Sequence, residues 1–144
     1  MIKVLKFGGT SVGSAANMKK VAEIVRREQA RITVLSAMSG TTDSLVRISR
    51  AAASGDRNAI EEQLAMLTDK YTRCIEELLR ERKQQALARM NATFGLIRDE
   101  AAAFEEYESE RKIIAQGELL TSAIFTAYLQ ETGLKAECLY SPDF

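Results

Sequence analysis

The sequence contains no histidine, a single proline, only two cysteines and no excess of charge of either sign. Without an imidazole the usual neutral-pH proton shuttle is missing, so any chemistry must rest on lysine, carboxylate, hydroxyl and backbone groups. Cys74 and Cys138 fall in an expected helix and an expected strand with no metal-ligand spacing, which reads both as reduced packing residues rather than a disulfide or metal site. Twenty basic and twenty acidic side chains cancel, which argues against a dedicated nucleic-acid or anionic-membrane surface while leaving room for a local basic site. No apolar stretch is long enough to cross a bilayer, and Lys3 and Lys6 interrupt the amino-terminal apolar run that a signal peptide would need. The expectation is a cytoplasmic chain with no membrane and no nucleic-acid partner. Because the one proline is Pro142, nothing covalent prevents long helices before it.

What is present supports a globular domain: 144 residues, 46% of them hydrophobic, suffice for one domain with a real core. The apolar runs Ile2–Phe7 and Ile32–Leu35 look like buried strands, each followed by a Gly/Ser/Thr-rich loop and then a helix. Between them Ser14 is a plausible N-cap, and Met18, Val21, Ala22 and Val25 recur at helical spacing with Lys19, Lys20, Arg26 and Arg27 turned outward. Strand, helix, strand in this length implies a right-handed crossover with parallel pairing, which brings both loops to the carboxyl edge of the sheet, where open α/β sheets bind ligands.

A further helix is expected over about 43–53, after which Ser54-Gly55-Asp56 breaks the pattern and Asp56 can cap the next one. Ile60, Leu64, Leu67, Tyr71, Ile75 and Leu78 mark one apolar stripe, and Leu87, Met90, Phe94, Ile97, Ala101 and Phe104 a second, which predicts two long antiparallel helices. The acidic run Glu105–Glu110 reads as a connection, or simply a solvated face, ahead of a helix over about 110–131. In that helix Ile113, Gly117, Leu120 and Ile124 form the buried stripe, and Gly133 fits the position just past its end. A last strand is expected around 135–139.

Three segments carry candidate chemistry. The first is Lys6-Phe7-Gly8-Gly9-Thr10-Ser11, a cation beside two glycines where a strand ends. Glycine backbone N–H groups can approach an anion closely, the following helix adds the positive end of its dipole, and Lys6 brings a full charge, so the corner suits a phosphate; an ordinary glycine turn with a surface lysine is the alternative. The spacing matches neither the Walker loop nor the dinucleotide-binding glycine fingerprint. The second segment, Ser36 to Asp43, offers hydroxyls around Gly40 suited to a carboxylate or phosphate oxygen, although Thr42 or Asp43 could merely cap the helix. The third is Ala115-Gln116-Gly117-Glu118-Leu119, which puts a carboxylate at the edge of an apolar face. If that face packs on the sheet, Glu118 is partly buried and needs a cationic or N–H partner, which a substrate ammonium can supply; a surface pair with Lys or Arg is the alternative.

In this order the three segments resemble the aspartokinases of the amino-acid kinase family, and the resemblance runs along the whole chain. It implies an α/β fold of the three-layer α/β/α amino-acid kinase type, present in part, with a mainly parallel sheet and a long helical hairpin insertion at about 56–107. It also implies an ATP-dependent phosphotransferase that acts on the side-chain carboxylate of L-aspartate and yields 4-phospho-L-aspartate, on the way to lysine, threonine and methionine. By the same resemblance Lys6 is catalytic, Gly8, Gly9, Thr10 and Ser11 bind phosphate, Ser36 and Thr42 line the pocket for the substrate carboxylate, and Glu118 holds its amino group. Gln116 stands where some relatives carry histidine. ATP, Mg²⁺ and L-aspartate are the implied ligands.

A carboxylate acceptor needs no general base, in keeping with the missing histidine. The Gly-Arg-Gly-Gly-Ser-Asp segment, the adenine-binding strands and the ACT regulatory domains of such enzymes are not found before the chain ends at Ser141–Phe144, so these residues are expected to be the amino-terminal part of a catalytic domain, inactive alone and prone to homo-oligomerise. Glutamate, acetylglutamate, carbamate and uridylate kinases share the glycine loop, but Thr10-Ser11 and Gly117-Glu118 fit aspartokinase better. A helical interaction module with an incidental phosphate loop is the reading from another class.

Overall fold

The computed structural model describes residues 1–140; the closing Ser141–Phe144 lie outside them. Two strands and five helices follow in the order β1 (Val4–Phe7), α1 (Ala15–Glu28), β2 (Ile32–Leu35), α2 (Thr41–Ser54), α3 (Arg57–Leu78), α4 (Lys83–Ala102) and α5 (Glu106–Glu131). β1 and β2 pair in parallel with Val4 opposite Ile32 and Phe7 opposite Leu35, so the strand–helix–strand unit forms as its spacing predicts. Strand β1 is shorter than the run from Ile2, because Ile2 and Lys3 lie ahead of the ladder.

Helix starts and stops follow local chemistry. Ser14 Oγ accepts the Asn17 N–H at 3.1 Å and Asp56 Oδ1 accepts that of Ala59 at 3.1 Å, so both expected N-caps are formed. At the end of α5, Gly133 adopts φ +89° while Gly133 N and Leu134 N donate to the carbonyls of Gln130 and Leu129, a Schellman closure. The Glu131 carboxylate accepts the backbone N–H groups of Arg80 and Arg82, tying this end of α5 to the connection between α3 and α4.

Both long stripes face the core, the second with its ends Leu87 and Phe104 only half-buried: Leu64, Leu67, Tyr71 and Ile75 from α3 meet Met90, Phe94 and Ile97 from α4, with the Tyr71 and Phe94 rings edge to face at 6.0 Å. Ile113, Leu120 and Ile124 of α5 and Leu45 and Ile48 of α2 complete the same core. Around the sheet, Phe7 and Leu35 turn toward this core whereas Val4, Ile32 and Val34 are 57%, 49% and 44% exposed, so one sheet face is bare among the described residues.

Two expectations need correction. The acidic run is not a connection: α5 already begins at Glu106, since Lys112 pairs with Glu108 at 3.1 Å one turn back, Arg111 stacks on the Tyr107 ring, and Ser109 Oγ accepts from Glu105 N and bonds the Glu100 carboxylate. The segment 135–139 is not a strand. A strand exists only where a ladder satisfies its backbone, and this segment is held instead by Gln130 Nε2 on the Ala136 carbonyl at 2.7 Å, with a cleft between it and β2.

Candidate active site

The two loops after the strands are built against each other. Ser36 N donates to the Phe7 carbonyl at 3.1 Å, extending the parallel ladder by one bond, and Ser39 N donates to the Gly9 carbonyl at 3.1 Å. At Gly9 a methyl group would lie 2.8 Å from the Ala37 carbonyl oxygen, so only glycine lets the first loop (residues 8–14) approach the second (residues 36–40) this closely. The first loop then closes on itself, Thr10 O accepting from Gly13 N and from Asn17 Nδ2, and delivers the chain to the N-terminus of α1.

Helix α5 forms the third wall. Gly117 lies against Ala37, Thr41 and Leu45, and four residues on Thr121 Oγ1 accepts the Met38 N–H at 3.2 Å. Thr121 is also joined to the Tyr71 hydroxyl at 3.0 Å, and that hydroxyl to Thr41 Oγ1 at 3.1 Å, so a buried polar chain runs from the second loop through α5 and α3 to the start of α2. Burial raises the Tyr71 phenol above its ordinary pKa against the opposing pull of these hydrogen bonds, so it stays a neutral donor and acceptor. Next to it Lys70 Nζ donates to the Ser39 carbonyl, and burial lowers its pKa.

The sequence-derived residues distribute as follows. Lys6 lies in β1 opposite Val34 and is exposed, with no side-chain hydrogen bond among the described residues. Gly8 is exposed, as are Thr10 and Ser11, and Gly9 is half-buried between the loops. Ser36 is half-buried at the end of β2, and Thr42 is exposed in the first turn of α2. Neither Thr42 nor Asp43 caps α2: Gly40 is the cap residue at φ +80° with no side-chain bond, which leaves the Thr42 hydroxyl free for another role.

Glu118 is a correction. It is exposed rather than partly buried, because α5 packs its Gly117 and Thr121 side on the second loop and α2, leaving Glu118 on the wall of a cleft of about 470 Å³. That cleft is walled by Ile32–Leu35 of β2, by Glu118, Ser122 and Phe125 of α5, and by residues 134–139. Lys6 is outside the cleft wall and meets it only through its partner Val34. The structure therefore brings the first loop, the second loop and the Gly117–Thr121 stretch together, with Glu118 at their margin.

Tyr71, Thr121 and Lys70 were not among the residues expected to shape the site. The signal was a phenol inside an aliphatic stripe, since a buried tyrosine hydroxyl requires a partner.

Comparison with known proteins adds the decisive observation, a match of the amino acid kinase family profile to residues 1–144. The chain belongs to the amino acid kinase family. Among proteins of known function, this member of the family is 32% identical over 142 residues to chloroplastic aspartokinase 1 of Arabidopsis thaliana, an alignment that covers 92% of this chain and 24% of that protein. It is 31% identical over 137 residues to the aspartokinase of Chlamydia muridarum, covering 94% of this chain and 29% of that one. Its fold is similar to E. coli aspartokinase III in complex with lysine and aspartate (TM-score 0.84, 25% identity, 93% of this chain, 30% of that chain). It is also similar to the same enzyme in complex with aspartate and ADP (TM-score 0.81, 26% identity, 95% and 30%). The chain thus spans 24–30% of the length of these relatives, and its fold is part of the α/β amino-acid kinase fold.

Proposed function

We propose that this chain is the amino-terminal part of an aspartate kinase, in which phosphoryl transfer from ATP to the side-chain carboxylate of L-aspartate gives 4-phospho-L-aspartate and ADP. The observation that carries the reading is the meeting of both strand-end loops with the Gly117–Thr121 stretch of α5 at the carboxyl end of two parallel strands. The similarity to an aspartokinase in complex with aspartate and ADP supports it.

In this reading Gly8, Gly9, Thr10 and Ser11 cradle the phosphates, and Ser36 and Thr42 receive the α-carboxylate. Glu118 binds the substrate ammonium from the cleft wall, where its exposure keeps the unliganded carboxylate hydrated. A carboxylate oxygen of the substrate attacks the γ-phosphorus, the bond to the ADP oxygen breaks, and no proton changes hands. Catalysis is alignment and charge neutralisation by Lys6 and the loop N–H groups.

The described residues hold no group of three carboxylate, thiol or imidazole ligands, so they do not build a metal cage. Mg²⁺ is proposed as an ion that arrives with the nucleotide, held by phosphate oxygens and water. The α3–α4 hairpin is proposed as the helical insertion at about 56–107. A place at the head of lysine, threonine and methionine synthesis, a cytoplasmic location and a homo-oligomer belong to the same proposal, the last supported by the bare sheet face around Val4, Ile32 and Val34. No helix of the described residues is long and apolar enough to cross a membrane.

Lys6→Ala in the polypeptide that carries this segment tests the reading. Turnover in a hydroxamate assay for aspartyl phosphate falls by about 10²–10³, the cost of removing one such electrostatic contact, while ATP affinity changes far less. Unchanged turnover refutes the role of Lys6.

A further inference from the structure

We propose that Lys70 and Tyr71, consecutive residues of α3, are positioning residues that hold the second loop in its ligand-binding shape. The inference rests on the proposed aspartate-binding role of Ser36 and Thr42, and extends it to a helix that carries none of the expected site residues.

Residues 36–40 form no regular structure, so their conformation depends on the few bonds made to them. Tyr71 supplies the link at the carboxyl end of the loop: its hydroxyl lies between Thr41 Oγ1 at 3.1 Å and Thr121 Oγ1 at 3.0 Å, and Thr121 in turn receives the Met38 N–H. Thr41 is the immediate neighbour of Thr42. All three hydroxyl-bearing residues are at most 1% exposed, and the crevice lined by Thr41, Tyr71, Phe94 and Gly117 has no room for a water molecule. If the phenol oxygen is removed, Thr41 and Thr121 are left without that partner in a crevice that has no spare room around it. The Tyr71 ring cannot follow the loop either, because Phe94 meets it edge-on.

Lys70 grips the same loop one residue earlier. Its ammonium donates to the Ser39 carbonyl and stands 3.5 Å from where a Gly40 side chain would begin, against the cap residue of α2 that no side chain caps. Two adjacent residues of one helix thus fix the carbonyl of Ser39 and the hydroxyl of Thr41, on either side of the left-handed Gly40. The rest of the buried α3 stripe is aliphatic or cysteine, so Tyr71 alone in it bonds the hydroxyls of Thr41 and Thr121 that flank the second loop.

The test compares Tyr71→Phe and Lys70→Met with Ile60→Val, a core truncation on α3 about three helical turns before Tyr71. Amide hydrogen exchange at Met38 is read on this chain, and L-aspartate and ATP are titrated calorimetrically into the polypeptide that carries this segment. We expect Met38 exchange to rise about tenfold in Tyr71→Phe, and L-aspartate affinity to fall about tenfold with ATP affinity unchanged, while Ile60→Val moves neither. Lys70→Met shifts both in the same direction and keeps the test open should Tyr71→Phe not fold. Unaltered Met38 exchange in both loop variants, or an equal loss of aspartate affinity in Ile60→Val, overturns the proposal. If the unmodified polypeptide that carries this segment binds no L-aspartate, the proposed function falls, and the exchange measurement alone decides whether α3 positions the loop.

Discussion

Gly117→Ala sets two physical effects against each other at the centre of the site. Alanine is favoured over glycine inside a helix by about 1 kcal/mol, so propensity alone makes the variant more stable. Packing opposes it: the new methyl would lie 3.0 Å from Ala37 Cβ, 3.0 Å from Leu45 Cδ1 and 3.1 Å from Thr41 Cγ2. Carbon atoms at rest prefer about 3.5–4.0 Å, so all three neighbours must give way.

Few of them can. Ala37 has no side chain beyond Cβ and follows a loop tied down through Met38 and Ser39, Thr41 is pinned by Tyr71, and Leu45 is 1% exposed. Overpacking of this kind costs about 1–3 kcal/mol, and with neighbours so constrained the upper half of that range applies. The net effect is a loss of about 1–2 kcal/mol, which moves the urea midpoint down by roughly 0.5–1 M for a denaturant slope near 2 kcal/mol/M. Gly95→Ala is the internal control, since that glycine also lies in a helix but has open space where the methyl would go. It should gain up to about 1 kcal/mol. A Gly117→Ala protein as stable as Gly95→Ala in urea unfolding would show that the loop and α5 are not packed as described.

Gly9→Ala would drive a methyl to 2.8 Å from the Ala37 carbonyl oxygen, and backbone cannot swing aside as a side-chain tip can. It should cost about 1–3 kcal/mol by urea unfolding and speed hydrogen exchange at Ser39, whose N–H bonds Gly9; protected Ser39 exchange would contradict the pairing of the two loops. Cys74 is 4% exposed and burial, reinforced by Glu77, pushes its thiol up to about 11, whereas Cys138 is exposed. Iodoacetamide should therefore label one thiol per native chain at pH 8 and two after unfolding; rapid double labelling of the native chain would place Cys74 elsewhere. Between pH 9 and 11 the unfolded chain has released the Cys74 proton that the fold retains, so stability falls with rising pH by about 1.4 kcal/mol per unit. Tyr71, also raised by burial, adds in the same direction. Urea midpoints of Cys74→Ala across that range should decline less steeply than those of the unmodified chain; equal slopes would remove Cys74 as the cause.

The strand–helix–strand unit, both side-chain N-caps and the two long stripes were legible because each depends on residues near in sequence: Ser14 with Asn17, Asp56 with Ala59, and apolar side chains one helical turn apart. What was not legible depends on distant partners. The residues at 135–139 read as a strand after the helix end at Gly133, but their state depends on whether β2 receives them, and a cleft intervenes. Glu118 occupies the same point on the helical wheel whether α5 turns that side to the sheet or to a cleft. The acidic run is a solvated face, as one reading of it allowed, but it is not a connection, because Lys112, the partner of Glu108, lies within the helix that it begins. At the site, the close approach of the Gly8–Gly9 corner to the second loop follows from a strand ending in glycines, whereas Tyr71 at the second loop is a tertiary fact that periodicity reports only as one more core residue.

The Met38–Thr121 bond joins groups 83 positions apart. A ribosome making this protein releases both strands and the first loop long before Thr121 is added, so the nascent chain carries an untethered second loop through most of its synthesis. The shape of that loop is therefore acquired late and in one step, when α5 docks, rather than growing with each element that emerges.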